Sequence, residues 1–352
     1  MTGRGGGIPL LPWRDTLTVQ ELEGPEAHAF LAVRWPSLYA QDQRATSFQS
    51  SAWLRGWATQ RPTSTPLVLV AEYAPGQPAA ALALTREVTD EGGVRITPLG
   101  SPAAECIRAV GPCADEPHVA GALVQRLTDW AASGAAVVMP DVPTDSRLGQ
   151  LLAAEPAWSH TTAACAQVPV PMPYAAMSRA TRRDHVRRER AWTALEMEGR
   201  VAYSRSRTAD ELAAGYADAQ HLHRRRWASH PTRGDASLDG LLEVLRHCGP
   251  AEAFAAVLRL DGCPVAAMVC LHRGPVAYSL LPAMDPAVAD LAPGHALHRR
   301  LLADLDVDGF NVLDLGRTRD EPGQISYKSQ YLPAWTSSLT AHSPSSMLNG
   351  GD

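Results

Sequence analysis

Lysine is almost missing from this chain of 352 residues. Of its 32 Lys and Arg residues only Lys328 is lysine, so 32 − 1 = 31 are arginine. Such a bias fits a GC-rich genome in which arginine serves wherever a generic positive charge suffices. Two readings of Lys328 stay open: survival by chance, or a position needing a compact, rotatable ammonium instead of a planar guanidinium. Long apolar runs are also absent. No stretch approaches the 18 apolar residues of a membrane span. The Gly-rich residues 1–14 lack the apolar centre of a secretion signal. None of the six cysteines (Cys106, Cys113, Cys165, Cys248, Cys263, Cys270) falls in a C-x-x-C pair or beside histidines at zinc-finger spacing. Excess basic charge is missing too: 32 − 37 = −5 excludes a generally basic nucleic-acid coat, though not a local patch. The expectation is a reduced, cytoplasmic protein without a metal or a membrane span.

What is present is ordinary globular composition, 45% apolar and 20% charged, in a chain long enough for two domains. Leu67–Tyr73 and Pro78–Thr85 read as strands joined by a Gly-containing turn. A helix over Val119–Ala132 and a strand over Ala135–Met139 follow. The second half repeats this order. Phe254–Leu260, the turn Asp261-Gly262 and Pro264–Leu271 form a hairpin. A strand over Pro275–Leu281, a helix from His295 to about Asp306 and a strand over Asn311–Leu315 come next. Helix starts and last strands are both offset by 176 residues (295 − 119; 311 − 135). Two related α/β halves follow, each a mixed sheet flanked by helices. The halves span 1–170 and 196–340, joined by an Arg-rich linker helix over 171–195, with a disordered tail over 341–352.

That linker carries six arginines between Arg179 and Arg190 and almost no apolar face. It reads either as a solvated bridge or as an anion site. Thr208-Ala-Asp-Glu211 fits a capping box, opening a helix whose stripe Leu212, Tyr216, Ala219 and His223 continues into Arg226 and Trp227. His223 is a core histidine or a base, with Arg226 a turn away to lower its pKa. Gly294-His295-Ala296-Leu297 starts a helix after the strand ending at Leu281. Its glycine and open amides suit a phosphate or pyrophosphate.

Phe48-Gln-Ser-Ser-Ala-Trp-Leu54, Leu222-His-Arg-Arg-Arg-Trp227, Ala292-Pro-Gly-His-Ala-Leu297 and Asp314-Leu-Gly-Arg317 with Tyr327-Lys328 together resemble one family. They are similar to the GNAT-superfamily acyltransferases of the cellulose-biosynthesis (CelD/BcsL) type, in a tandem arrangement shared with Fem-type aminoacyltransferases. The resemblance implies an α/β fold of tandem GNAT-like domains. It also implies an acetyl- or acyl-CoA donor and a small-molecule or saccharide amine acceptor. The pyrophosphate would lie on Leu281, Gly294, His295, Ala296 and Leu297. The usual cation before the cradle is Leu291 here, so Arg299 or Arg300 would supply the charge. Catalysis falls to Asp314 or His223 as base and Tyr327 as acid, and substrate binding to Arg226, Trp227, Arg317 and Lys328. An aminoacyl-tRNA-dependent transferase gripping RNA through Arg179–Arg190, or a GNAT-fold binding protein without activity, are the alternatives. The first half, with Glu116-Pro117-His118 before its helix and no Gly-x-Ala, is expected to lack a donor site and to shape the acceptor cleft.

Overall fold

The computed structural model describes residues 17–60, 63–227, 238, 240–318 and 322–348; the Gly-rich residues 1–14 lie outside them. The first half runs β1 (Thr18–Glu23), α1 (Pro25–Val33), α2 (Trp35–Gln41), α3 (Ser51–Gln60), β2 (Ser64–Ala74) and β3 (Gln77–Val88). It continues with β4 (Val94–Pro98), α4 (Pro117–Ala132), β5 (Ala136–Pro143), α5 (Arg147–Ala154) and β6 (Ser159–Pro169). Helix α6 (Arg179–Met197) leads into β7 (Val201–Arg205), α7 (Ala209–Trp227), α8 (Leu241–Cys248), β8 (Ala253–Leu260) and β9 (Cys263–Arg273). Then come β10 (Val276–Met284), α9 (Pro293–Val307), β11 (Val312–Thr318), α10 (Pro322–Ser329), β12 (Ala334–His342) and α11 (Pro344–Leu348).

Turn chemistry closes the second-half hairpin as expected. Asp261 and Gly262 both take left-handed φ, 52° and 80°, as a type I′ turn between β8 and β9 demands. The repeat is real in space. In each half a long antiparallel hairpin passes to a third strand, crosses by a helix, and returns parallel to that strand: β4 with β5, β10 with β11. Strands β8 and β9 read as unbroken apolar runs because both faces are covered. Ala255, Val257, Ala267 and Val269 enter one core, while Phe254, Ala256, Ala266 and Met268 enter the other. Helix α7 covers the first face and α9 the second. Gly215 lets α7 approach, since a Cβ there would lie 2.5 Å from the Cβ of Ala255.

The halves are fused more closely than two separate sheets. One twelve-stranded sheet runs β1-β2-β3-β4-β5-β12-β6-β11-β10-β9-β8-β7. The last strand, β12, is therefore inserted between β5 and β6, and β6 pairs with β11. Arg273 braces the junction, donating to the carbonyls of Tyr39 and Asp42 at 2.7 Å each, with its guanidinium 3.9 Å from the Tyr39 ring centre.

Two sequence expectations change here. The tail expected to be disordered from residue 341 continues the fold over the described residues 341–348: Ala341 and Ser343 are buried, the Ser343 hydroxyl accepts from the Val137 amide at 3.0 Å, and α11 follows. The linker helix is no mere solvated bridge. Trp192 and His185 of α6 are buried, and the Trp192 indole donates to the Leu291 carbonyl at 2.8 Å, which fastens α6 beside the start of α9.

Candidate active site

Strands β10 and β11 run together for three residue pairs, ending at Tyr278 opposite Asp314, and then part. The register of β10 against β9 skips Leu280, and that of β11 against β6 skips Leu315 and Gly316. Skipped residues bend a strand and free its polar groups. The fork so formed lies inside the sheet, between its eighth and ninth strands of twelve. Phe48 of the first half closes on it, its ring 5.7 Å edge-on from Tyr278.

Gly316 is the centre of the fork. Its φ of +63° favours glycine. Its amide donates to Asp314 Oδ1 at 2.7 Å, and its carbonyl accepts from Lys328 Nζ at 3.0 Å. A Cβ on it would meet Glu105 Oε2 at 2.2 Å. Asp314 is buried, and its second oxygen accepts from Gln167 Nε2 at 3.0 Å. Burial pushes its carboxyl up, against the pull of those hydrogen bonds and of Lys328.

Lys328 donates to three successive carbonyls: Leu315 at 2.8 Å, Gly316 at 3.0 Å and Arg317 at 2.9 Å. An ammonium has three protons, and all are engaged. That answers the compositional question: three acceptors converging on one point suit a compact ammonium, whereas a flat guanidinium cannot serve them together. It also corrects the assignment of Lys328 to an anionic substrate group, because no proton remains for one. Burial lowers its pKa, opposed by Glu105, Cys165 and Asp314.

Glu105 is the residue that the sequence did not disclose. It lies in the irregular segment between β4 and α4, half-buried, and among the described residues no group donates a hydrogen bond to it. Burial, then Asp141 and Asp314, push its carboxyl up to about 7, while Lys328 and Arg317 pull the other way. Asp141 on β5, also raised by burial, forms an ion pair with Arg317, whose Nη1 lies 3.2 Å from Asp141 Oδ2. The partly exposed Arg317 guanidinium forms the rim of this group.

The start of α9 forms the other wall. Leu281, Ala296 and Leu297 are buried and belong to the cores. Pro293 has no amide proton, and the amides of His295 and Ala296 return to the Ala292 carbonyl. The Gly294 amide has no partner among the described residues. Tyr327 Oη lies 3.3 Å from where a Gly294 Cβ would be, and 2.9 Å from His298 Nδ1. His295 Nδ1 meets Tyr331 Oη at 2.6 Å. Burial lowers His295 to about 3 and His298 to about 4, so both rings are neutral at pH 7. Arg299 and Arg300 pair with α6, through Glu189 (3.1 Å) and Glu196, and Arg300 also donates to the Ala296 carbonyl at 3.0 Å. Arg188 and Arg226 both act by charge on Tyr327, pulling its phenol down against the larger effect of burial. Arg225 pairs with Asp285 at 2.9 Å, holding the end of α7 to the connection between β10 and α9. His223 is half-buried one turn before Trp227, its ring 6.4 Å from the indole.

The fork thus brings Asp314, Arg317 and Lys328 together with Glu105, and sets Tyr327 beside Gly294 and His295, within reach of the charge of Arg226. Among the described residues no group of three or more His, Cys, Asp or Glu side chains is placed to hold a metal ion. No described helix is long and apolar enough to cross a membrane.

Comparison with known proteins agrees with this architecture. Residues 180–329 match the family model described as Acetyltransferase (GNAT) domain. Among solved structures, FemX aligns with a TM-score of 0.60 at 12% identity, over 92% of this chain and 96% of its own. The C-terminal DUF2156 domain of an Agrobacterium fabrum protein gives 0.57 at 14% identity, over 92% and 95%. A tandem GNAT protein from the clavulanic acid biosynthesis pathway gives 0.52 at 11% identity, over 92% and 98%. No curated protein matches the chain. At these identities the structural likenesses establish the fold: a large mixed sheet of tandem GNAT-like halves.

Proposed function

We propose that this GNAT-fold chain is an acyltransferase that moves an acyl group from acetyl-CoA or another acyl-CoA to an amine. The observation that carries the reading is the convergence of Glu105, Asp314 and Lys328 on Gly316, at the point where β10 and β11 part. A thioester donor supplies an activated carbonyl and a thiolate leaving group; the remaining work is proton handling and orientation. The residues suit a phosphate-bearing donor: the Gly294 amide stands open at the start of α9, and the positive charge of Arg226 acts on Tyr327 beside it.

Glu105, half-buried and with a pKa near 7, takes the proton of the attacking ammonium at neutral pH. Asp314 is a poorer base because both its oxygens are engaged; its work is to fix the Gly316 amide. Lys328 pins the three carbonyls that follow, which holds the kinked strand end against Glu105. Leu280, skipped in the β10–β9 register beyond the last β10–β11 pair, offers its amide to the oxyanion. Tyr327 gives its proton to the departing sulfur. Arg317 and Trp227 receive the acceptor, with the first half closing the cleft through Glu105 and Phe48.

Thermal stability with and without CoA, with adenosine diphosphate as control, tests the donor. Ligand at about 100 times its Kd adds about 2.7 kcal/mol, a shift of a few degrees. The shift is expected with CoA and lost in Gly294→Trp. No shift at millimolar CoA overturns the reading.

One observation favours a second reading, an aminoacyl-tRNA donor: Arg179, Arg183, Arg187 and Arg190 all lie exposed on α6. Salt-sensitive tRNA binding that disappears when these become Gln would support it.

A further inference from the structure

Beside the candidate acid lies a histidine for which neither the fold nor the reaction has yet given a purpose. His298 is 4% exposed, one turn into α9. Its Nδ1 lies 2.8 Å from the Gly294 carbonyl and 2.9 Å from Tyr327 Oη. A carbonyl can only accept, so Nδ1 carries the hydrogen. Nδ1 therefore cannot accept from Tyr327; it donates to the phenol oxygen as well as to Gly294. The ring's other nitrogen, Nε2, is buried with no partner among the described residues. In this tautomer Nε2 is a bare lone pair, and no buried N–H is stranded.

We propose that His298 is a positioning residue: held as the Nδ1–H tautomer by its own helix, it turns the Tyr327 proton outward and steadies the phenolate left after transfer. This deepens the acyl-transfer reading and rests on it. As the new C–N bond forms and the C–S bond breaks, the sulfur takes the Tyr327 proton. The His298 Nδ1–H and the Tyr331 hydroxyl then face the phenolate oxygen, and the nitrogen's second proton, shed after Glu105 has taken the first and the C–N bond has formed, restores the phenol. The groups facing His298 are the Gly294 carbonyl, Tyr327, the stacked ring of Tyr331 at 5.1 Å, and Lys328 at longer range.

Two measurements on the full chain test it. Long-range 1H–15N correlation spectra of histidine-labelled protein, with His298→Asn to assign the signal, should show a neutral Nδ1–H ring between pH 6 and 8. A neutral Nε2–H ring overturns the pairing, whatever the activity. In turnover with acetyl-CoA and an amine, His298→Leu should lower kcat at least tenfold with KM within twofold and move the basic limb of the pH profile. His298→Asn, which restores an N–H near Nδ1, should recover most of that loss. Equal kcat in wild type and His298→Leu overturns the positioning role. Absence of turnover in wild type itself overturns the acyl-transfer reading and this role together, while the spectra still report on the pairing.

Discussion

Glu105 occupies the space that any side chain at position 316 would need: a Cβ on Gly316 would lie 2.2 Å from its carboxylate. The two residues are 211 positions apart (316 − 105) and belong to different halves, so the site exists only where the halves are fused. Gly316→Ala therefore meets both a clash and a backbone φ of +63°. It should cost about 1–3 kcal/mol. In a Glu105→Ala background the cost should fall, because the clash is gone and only the strained φ remains. Urea unfolding of the four proteins of this cycle measures the coupling.

The raised pKa of Glu105 has a consequence for stability, with a definite sign. Its folded-state value, about 7, lies above the ordinary 4.5. Between those values the folded state binds more protons, so this residue's contribution to stability is complete below about pH 4.5 and is lost as pH rises through 7. Glu105→Gln removes that dependence. The variant should be more stable than wild type by about 1–3 kcal/mol at pH 8 and should differ little near pH 5. Thermal melts across pH 5–8 give the comparison.

Lys328 can be tested by shape as well as by charge. Lys328→Met leaves three carbonyls without their donor, and Lys328→Arg cannot deliver three protons to one point. Both should destabilise by about 2–4 kcal/mol, with arginine rescuing little despite its charge. A lysine-like stability of the arginine variant would show that charge alone matters here. Equilibrium unfolding decides between them.

The arginines near α9 divide by their partners. Arg299 is tied to Glu189, so Arg299→Gln should leave CoA affinity within twofold and cost at most about 1 kcal/mol of stability. Arg226 acts by charge on Tyr327 and is expected to touch the donor's phosphates. Arg226→Gln should weaken CoA binding about tenfold, which is about 1.4 kcal/mol. Titration calorimetry of the two variants separates these outcomes.

Much of the architecture is legible in the sequence because it is locally encoded. The Asp261-Gly262 turn, the apolar runs of β8 and β9 and the Thr208–Glu211 capping box each specify a conformation within a few residues. In the structure Thr208 Oγ1 accepts from the Glu211 amide at 3.3 Å, and Glu211 Oε2 accepts from the Thr208 amide at 3.1 Å. Strand β12 is not legible: residues Ala334–Thr336 are exposed and without alternation, and its partners lie more than 160 residues away in the chain. Lys328 stands out by composition, but that its role is toward the backbone emerges only when β11 is seen to bend. Glu105 carries no local signal at all. A carboxylate in an irregular segment ordinarily faces solvent, and only the exchange of strands between halves draws this one against Gly316. Arg299 misleads for a simple reason, since five residues past Gly294 the helix has turned it toward α6.

The pH dependence of kcat/KM with acetyl-CoA and an amine acceptor, in wild type and Glu105→Gln, bears most directly on the role of the fork. Wild type should gain activity as pH rises through about 7, where Glu105 loses its proton. Glu105→Gln should lose that limb and at least 100-fold in rate. A variant that keeps both the limb and the rate of the wild type would mean that the proton leaves by another group, and that the convergence on Gly316 serves the fold alone.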